Sequence, residues 1–436
     1  MQKKQDIPQR HQDQEAIPQE CLTADTKIPV VLVDGEPELQ EPDLFPDGGV
    51  QAWLVVFGAF TAHCVYGITY SFGIYNSYYS DLGIGSASQI AMIGSLGSAA
   101  VDGIGLISST LAEKYGFRQV MFAGTILLSL GLFLSSFTTS LPLLILTQGL
   151  MFGVGSSLIF FPAVSLPPQY FLKKRGLAMG ITVAGTGCGG LAFSILSSKL
   201  LDSIGLAWTL RITALISFVL MVATIPFMKT RITPTKGKKD YSFLKKPGFY
   251  ALFFACFFFC FCEFVAVDFL TLFGQQRIGL TLQDGGAIMS IYNGSNIIGR
   301  LVVGFCSDRF LGPFNGLVLS IWFTVVATFA WMAASSFMGL AVASAAIGFF
   351  DGGFWCLFPV AVAEMFGMDS SLVTMLATLF TLLAIPTFAS PPISGLIGDA
   401  YGMDMLVVYA GSLAVLSAVA GTVSRFIQSS VFYTKV

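Results

Sequence analysis

This sequence is poor in charge. Asp, Glu, Lys and Arg together make up 11% of its 436 residues, where a soluble domain carries roughly 25%. A water-exposed fold with so few charges has no means of covering its apolar surface, so a soluble globule is excluded. Histidine is scarcer still: His11 and His63 are the only two. That leaves little from which to build a metal centre or an acid–base enzyme. Formal net charge is −2, so there is no basic field for nucleic acid. No P-loop occurs, so ATP is not the expected energy source, and no cofactor is expected. No basic start leads into an apolar run, so a secretory signal peptide is not expected either. Cysteines lack the paired loop spacing of a disulfide framework or zinc ribbon. Seven of the eight (Cys64, Cys188, Cys256, Cys260, Cys262, Cys306 and Cys356) lie in or beside apolar segments and read as small packing residues.

What the chain has is grease: 54% hydrophobic residues, with 41 Phe and 46 Gly, a composition suited to helices that pack closely in lipid. A spanning helix needs about 20 apolar residues. Twelve such runs are read at 50–75, 87–110, 120–137, 142–165, 177–199, 207–228, 248–273, 281–305, 317–335, 339–363, 372–399 and 404–427. Before them, residues 1–49 are rich in Gln, Glu, Asp and Pro and read as a disordered tail. Nineteen of the 23 Lys and Arg fall on the side of that tail, and Arg277 alone falls on the other. By the positive-inside rule both termini, including the 428–436 tail, are expected in the cytoplasm.

The basic loop 229–246 divides the chain into two groups of six, 50–228 and 247–427. Phe160-Phe161-Pro162-Ala163 resembles Leu357-Phe358-Pro359-Val360 at an offset of 197, and Ala112-Glu113-Lys114-Tyr115-Gly116 resembles Ser307-Asp308-Arg309-Phe310 at 195. Nearly constant offsets imply duplicated six-helix halves, and parallel repeats of this kind mark the major facilitator architecture. The expected fold is therefore an all-α membrane protein of twelve helices in two pseudo-symmetric bundles around a central site.

Ionisable groups at membrane depth cost about 3 kcal/mol each and are functional hypotheses by default. His63, Asp102, Glu263 and Asp351 fall near the middle of helices 1, 2, 7 and 10, with Arg300 deeper toward the tail side. A carboxyl in low dielectric is a candidate proton carrier, so Asp351, Glu263 and Asp102 are the proton-coupling candidates. They read equally as structural partners of Arg300, His63 or the backbone. Arg300 offers a planar fork suited to a carboxylate. Tyr66 and Tyr70 share a helix face with His63. The turns carrying Glu113, Lys114 and Arg118, and Asp308 and Arg309, fit the superfamily motif G-x-x-x-D-R-x-G-R only in part: Ser109 replaces the first Gly, and Leu311 displaces Gly312 by one. They are the gating candidates. Gly185-Thr186-Gly187-Cys188-Gly189-Gly190 matches a dinucleotide fingerprint but follows no strand, so it reads as a packing surface. The sequon Asn293-Gly294-Ser295 lies inside a helix, out of reach of glycosylation.

Asp47-Gly48-Gly49-Val50-Gln51-Ala52-Trp53 and the stretch Tyr170 to Gly185 (YFLKKRGLAMGITVAG) resemble the fungal members of the monocarboxylate transporter family. Gly299-Arg300 and the Ser307-Asp308-Arg309 turn resemble it as well. The resemblance implies a carrier, working as a monomer, for a small organic solute such as a carboxylate. It also marks departures. The family's helix-1 Lys corresponds to Ile74, though its Tyr is kept as Tyr70, and the helix-8 acid four residues before the Arg is replaced by Asn296. Arg300, Asn296, Tyr70, His63 and Tyr66 are the substrate-binding candidates. Proton symport by the family's own route is thereby in question. An exporter of a secondary metabolite and a non-transporting nutrient receptor are the alternatives, and the plasma membrane is the default location.

Overall fold

The computed structural model describes residues 30–33, 36–39, 47–171, 174–231, 242–366 and 371–428. In the first compact unit, up to Pro46, β1 (Val30–Val33) pairs antiparallel with β2 (Glu36–Leu39), Val30 opposite Leu39 and Val33 opposite Glu36. This ribbon departs from the expectation of a wholly disordered tail. The rest of 1–46, the centre of the basic loop and 429–436 lie outside the described residues.

From Asp47 onward the described chain is helical. Helix α1 (Val50–Tyr66) runs through a 3-10 turn, Gly67–Ser71, into α2 (Phe72–Asp81). Helices α3 (Ala87–Gly103) and α4 (Gly105–Tyr115) meet at a 51° bend, and α5 (Phe117–Ser135) follows. Leu141–Leu144 passes through a π turn, Ile145–Met151, into α6 (Phe152–Ser165). Then come α7 (Arg175–Thr224), α8 (Pro247–Phe273), α9 (Leu282–Cys306), α10 (Pro313–Met332), α11 (Phe337–Phe366), α12 (Ser371–Tyr401) and α13 (Met403–Gln428).

Nine of the described helices are long and apolar enough to cross a membrane, ten if the bent α3–α4 pair counts as one crossing. Two facts bring the number to twelve. Helix α7 has 50 residues, roughly 75 Å at 1.5 Å per residue, far more than one bilayer needs. It breaks at Gly205, where φ is 76° and ψ 177°, and so supplies two crossings. Helix α9 has 25 residues, enough to span about 30 Å. Its hydropathy is diluted by Asn293, Asn296 and Arg300, all of which it buries. The twelve crossings follow the runs read from hydropathy to within a few residues.

Equivalent positions in the two sets of six carry the same local devices. Helix α3 opens with a capping box of Ser86 and Gln89, and α9 opens with one of Thr281 and Asp284. Each box satisfies backbone donors at a helix start. At the other ends, Gly116 (φ 98°) and Gly312 (φ 85°) turn the chain into the next helix. The one-residue displacement in the second motif has a structural answer. A π turn, Ser307–Leu311, closes α9, and its wider ring absorbs the additional residue, so Gly312 occupies the place Gly116 holds in the first set.

Candidate functional site

Close backbone approach builds the centre. A Cβ on Gly348 would lie 2.2 Å from the Tyr292 carbonyl oxygen, and one on Gly352 2.1 Å from that of Asn296. Only glycine permits this contact of α11 with α9. It presses Asp351 onto α9, where Oδ2 accepts from the Tyr292 hydroxyl at 3.0 Å and from Asn296 Nδ2 at 2.5 Å. Asn296 Oδ1 in turn accepts from Arg300 Nε at 2.8 Å. Asn296 is therefore a bridge: it binds the acid with its amide nitrogen and the base with its amide oxygen. Among the described residues Arg300 makes no ion pair within 4.0 Å; the one such pair is Arg277–Asp404. Arg300 Nη1 instead donates to the Val183 carbonyl of α7 at 3.0 Å, tying the second set of helices to the first.

Glu263 on α8 closes the other flank. Its Oε1 accepts from Trp355 Nε1 at 3.0 Å and from the Tyr70 hydroxyl at 3.2 Å. Trp355 lies one helical turn after Asp351, so the two share a face of α11. Glu263 and Asp351 are 3% and 1% exposed, and the second oxygen of each, Oε2 and Oδ1, is buried without a partner. Asp102, at the α3–α4 bend, is only partly buried and accepts from Thr387 of α12 at 3.2 Å. The rings of Tyr66 and Phe160 lie 4.7 Å apart, and Tyr66 and Tyr70 6.1 Å.

Most of the substrate-binding and proton-coupling candidates thus converge: Tyr66, Tyr70, Glu263, Asn296, Arg300 and Asp351 share one region between the two sets of helices. His63 does not join their hydrogen bonds. It is 0% exposed, its Nδ1 bonds the Ala59 carbonyl of its own helix at 2.8 Å, and its ring packs on Phe160 at 4.7 Å. A Cβ on Gly185 would lie 2.9 Å from its Cβ, so His63 sits in the α1–α7 packing surface to which the glycine-rich stretch belongs. The gating candidates are not brought together. Glu113, Lys114 and Arg309 are exposed, Lys114 lies 5.0 Å over its neighbour Tyr115, and the side chain of Asp308 lies outside the described ones. Arg118 donates to the Met228 carbonyl at 3.2 Å and also to that of Pro226, capping the end of the first six helices.

Sequence reasoning missed Tyr292, Trp355 and Asp268. Tyr292, Asn296 and Arg300 are spaced by four on one helix, and Trp355 follows Asp351 by four, so helical spacing was a usable signal. Asp268 is 2% exposed, with Oδ2 unpartnered. It is a further buried acid, in addition to Glu263 and Asp351.

Four further hydrogen bonds join the two sets on the side away from Val50 and Gln428. Asn76 Nδ2 donates to the Asp268 carbonyl at 2.8 Å, Ser77 Oγ to Gln275 Oε1, and Gln275 Nε2 to Asp81 Oδ2 at 3.3 Å. Gln283 Nε2 donates to Asp202 Oδ2 at 2.6 Å. A Cβ on Gly73 would meet the Val267 carbonyl oxygen at 2.4 Å. On this far side the two sets are thus in direct contact.

Twelve crossings in two related sets, with polar groups gathered between them, define a membrane carrier. Residues 53–366 match the family model for the Major Facilitator Superfamily, and the chain belongs to that family. It is an integral, multi-pass transporter rather than an enzyme. It is 34% identical over 87% of its length to the aspyridones efflux protein of Emericella nidulans, of which it covers 78%. It is 30% identical over 85% to the agnestins efflux protein of Paecilomyces divaricatus, covering 86%. In fold it resembles a bacterial homolog of the human lysosomal transporter Spinster in an inward-facing, occupied conformation, with a TM-score of 0.68 at 14% identity, covering 89% of this chain and 99% of the other. The relatives named for a cargo are efflux proteins, which moves the reading away from a monocarboxylate porter and toward the exporter alternative.

Proposed function

We propose that this chain exports a small organic metabolite by alternating access, with protons moving the other way through its mid-membrane acids. The observation that carries the reading is the chain Asp351–Asn296–Arg300–Val183, which joins an acid, a base and the contact between the two sets of helices in one line of hydrogen bonds. Protonating Asp351 removes the charge from a charge-assisted bond, roughly halving its strength. Through Asn296 that change reaches Arg300 and its grip on α7. Cargo enters while the far side is shut; opening of the far side exposes Asp351 and Glu263 to the opposite compartment, where they take up protons and release cargo. In this reading the missing helix-8 acid is supplied by α11, whose Asp351 bonds Asn296 directly. The efflux roles of the aspyridones and agnestins relatives support outward transport.

The halves 50–228 and 247–427 rock as units about the 229–246 linker. The termini face the cytoplasm, and the protein works as a monomer in the plasma membrane. A carboxylated cargo is the second reading. It is favoured by Arg300, a guanidinium that is 8% exposed and has no carboxylate partner within 4.0 Å among the described residues.

The test compares metabolites retained and released by cells with the protein, without it, and with Arg300→Lys. The wild type is expected to lower the retained amount of at least one metabolite about tenfold. Arg300→Lys, which loses the planar fork, is expected to retain as much as cells without the protein while still reaching the membrane. Identical profiles in all three would sink the export reading.

A further inference from the structure

The central site carries two features that bear on what its cargo looks like. One is the pair of buried oxygens, Glu263 Oε2 and Asp351 Oδ1, that have no donor. Buried acceptors are nearly always satisfied, so each orphan calls for a partner that the folded chain does not itself supply. The other is the aromatic lining beside them. On the second set, Trp355 lies nearly parallel to Phe380 (12°, 6.0 Å), with Phe358 5.9 Å from the same ring. On the first set, Tyr66 and Phe160 pack at 4.7 Å, and Phe161 reaches across to Phe380 at 6.1 Å.

Exposure separates these rings into two kinds. Phe161 and Phe358 are buried, whereas Tyr66, Phe160, Trp355 and Phe380 are partly open. Their neighbours are rings of other helices and, for Trp355, the Glu263 carboxylate, so they face the interior. A flat π-system laid against such partly open aromatic faces gains stacking beyond its area of contact.

We propose that the central site selects a flat, conjugated molecule bearing a hydrogen-bond donor. Its face lies against Trp355 and Phe380, with Tyr66 and Phe160 opposite, and its O–H or N–H is accepted by Glu263 Oε2 or Asp351 Oδ1. This rests on the export reading for the site being the cargo site, and it adds what that reading does not contain: the shape and hydrogen-bonding sense of the cargo.

Three small probes separate the two requirements. 2-Naphthol is flat and has a donor, 2-methoxynaphthalene is flat without one, and decahydro-2-naphthol has a donor without flatness. Binding to the purified full-length protein is read by equilibrium dialysis against detergent micelles alone. The wild type is expected to bind 2-naphthol about tenfold more tightly than either of the others. Trp355→Leu is expected to lose about tenfold for 2-naphthol and little for decahydro-2-naphthol, while Trp355→Phe, which keeps a ring, stays within about threefold of wild type. Phe380→Leu is expected to follow Trp355→Leu in direction. Equal binding of the three probes, or an unchanged 2-naphthol affinity in correctly folded Trp355→Leu, overturns the proposal. Binding of none overturns it too, while release of metabolites from cells judges the export reading separately.

Discussion

The two ends of the bundle are held by different means. Away from the termini, helices from the two sets touch backbone to backbone at Gly73 and Val267, and polar side chains bridge them at Asn76, Ser77, Asp81, Gln275 and Gln283. Toward Val50 and Gln428, the described contacts between the sets include a ring pair, Phe161 on Phe380, and the bond from Arg300 to the Val183 carbonyl, while Glu113, Lys114 and Arg309 are exposed. Backbone contact with several hydrogen bonds is worth more than one ring pair and one hydrogen bond at about 1 kcal/mol each. The larger group of bridging contacts therefore lies on the side away from Val50 and Gln428.

The largest expected effect comes from removing the glycine at that backbone contact. Gly73→Leu places carbon against the Val267 carbonyl oxygen, and overpacking of this kind costs about 2 kcal/mol, a shift of about thirtyfold toward the far-side-open state. The check is the reactivity of an Asn76→Cys thiol toward an impermeant reagent added on that side, with and without Gly73→Leu; equal rates would mean that the glycine does not hold the contact. Ser77→Ala removes one bridging bond, worth about 1 kcal/mol, and is expected to raise the same rate about fivefold. An effect larger than that of Gly73→Leu would reverse the ranking of backbone over side-chain contact. The smallest effect concerns the comparison between the two sets. Deleting Leu311 removes the residue that the π turn absorbs and gives α9 the ending that α4 has. The melting temperature is expected to move by no more than about 3 °C. A collapse of folding would mean that the π turn is required for more than spacing.

Much of the fold was legible because hydropathy and loop charge are local signals. The twelve runs, the break near Gly205 and the packing role of Gly185 to Gly190 need only neighbours in sequence. The site was half legible. Depth along a helix marked Glu263, Asp351, Asp102 and Arg300, and the resemblance marked Asn296 and Tyr70. What no run of residues encodes is which side chains meet across helices. That Asp351 reaches Asn296 depends on the depth to which Gly348 and Gly352 let α11 approach α9, and that Trp355 holds Glu263 depends on the crossing of α11 and α8. For His63 the helix face was readable, and it reads equally as that of a core histidine or of a site residue; the presence of Gly185 against it was not legible. The gating turns were recognised by residue type, yet whether they are joined is a property of the conformation and not of the motif.

The most direct test is proton movement in proteoliposomes loaded with the metabolite that cells are found to release. An inward proton gradient is expected to drive the solute out of wild-type vesicles against its own gradient, with protons entering as it leaves. Asp351→Asn is expected to let the solute equilibrate while no longer answering the proton gradient. Gradient-driven transport by Asp351→Asn equal to that of the wild type would contradict the account.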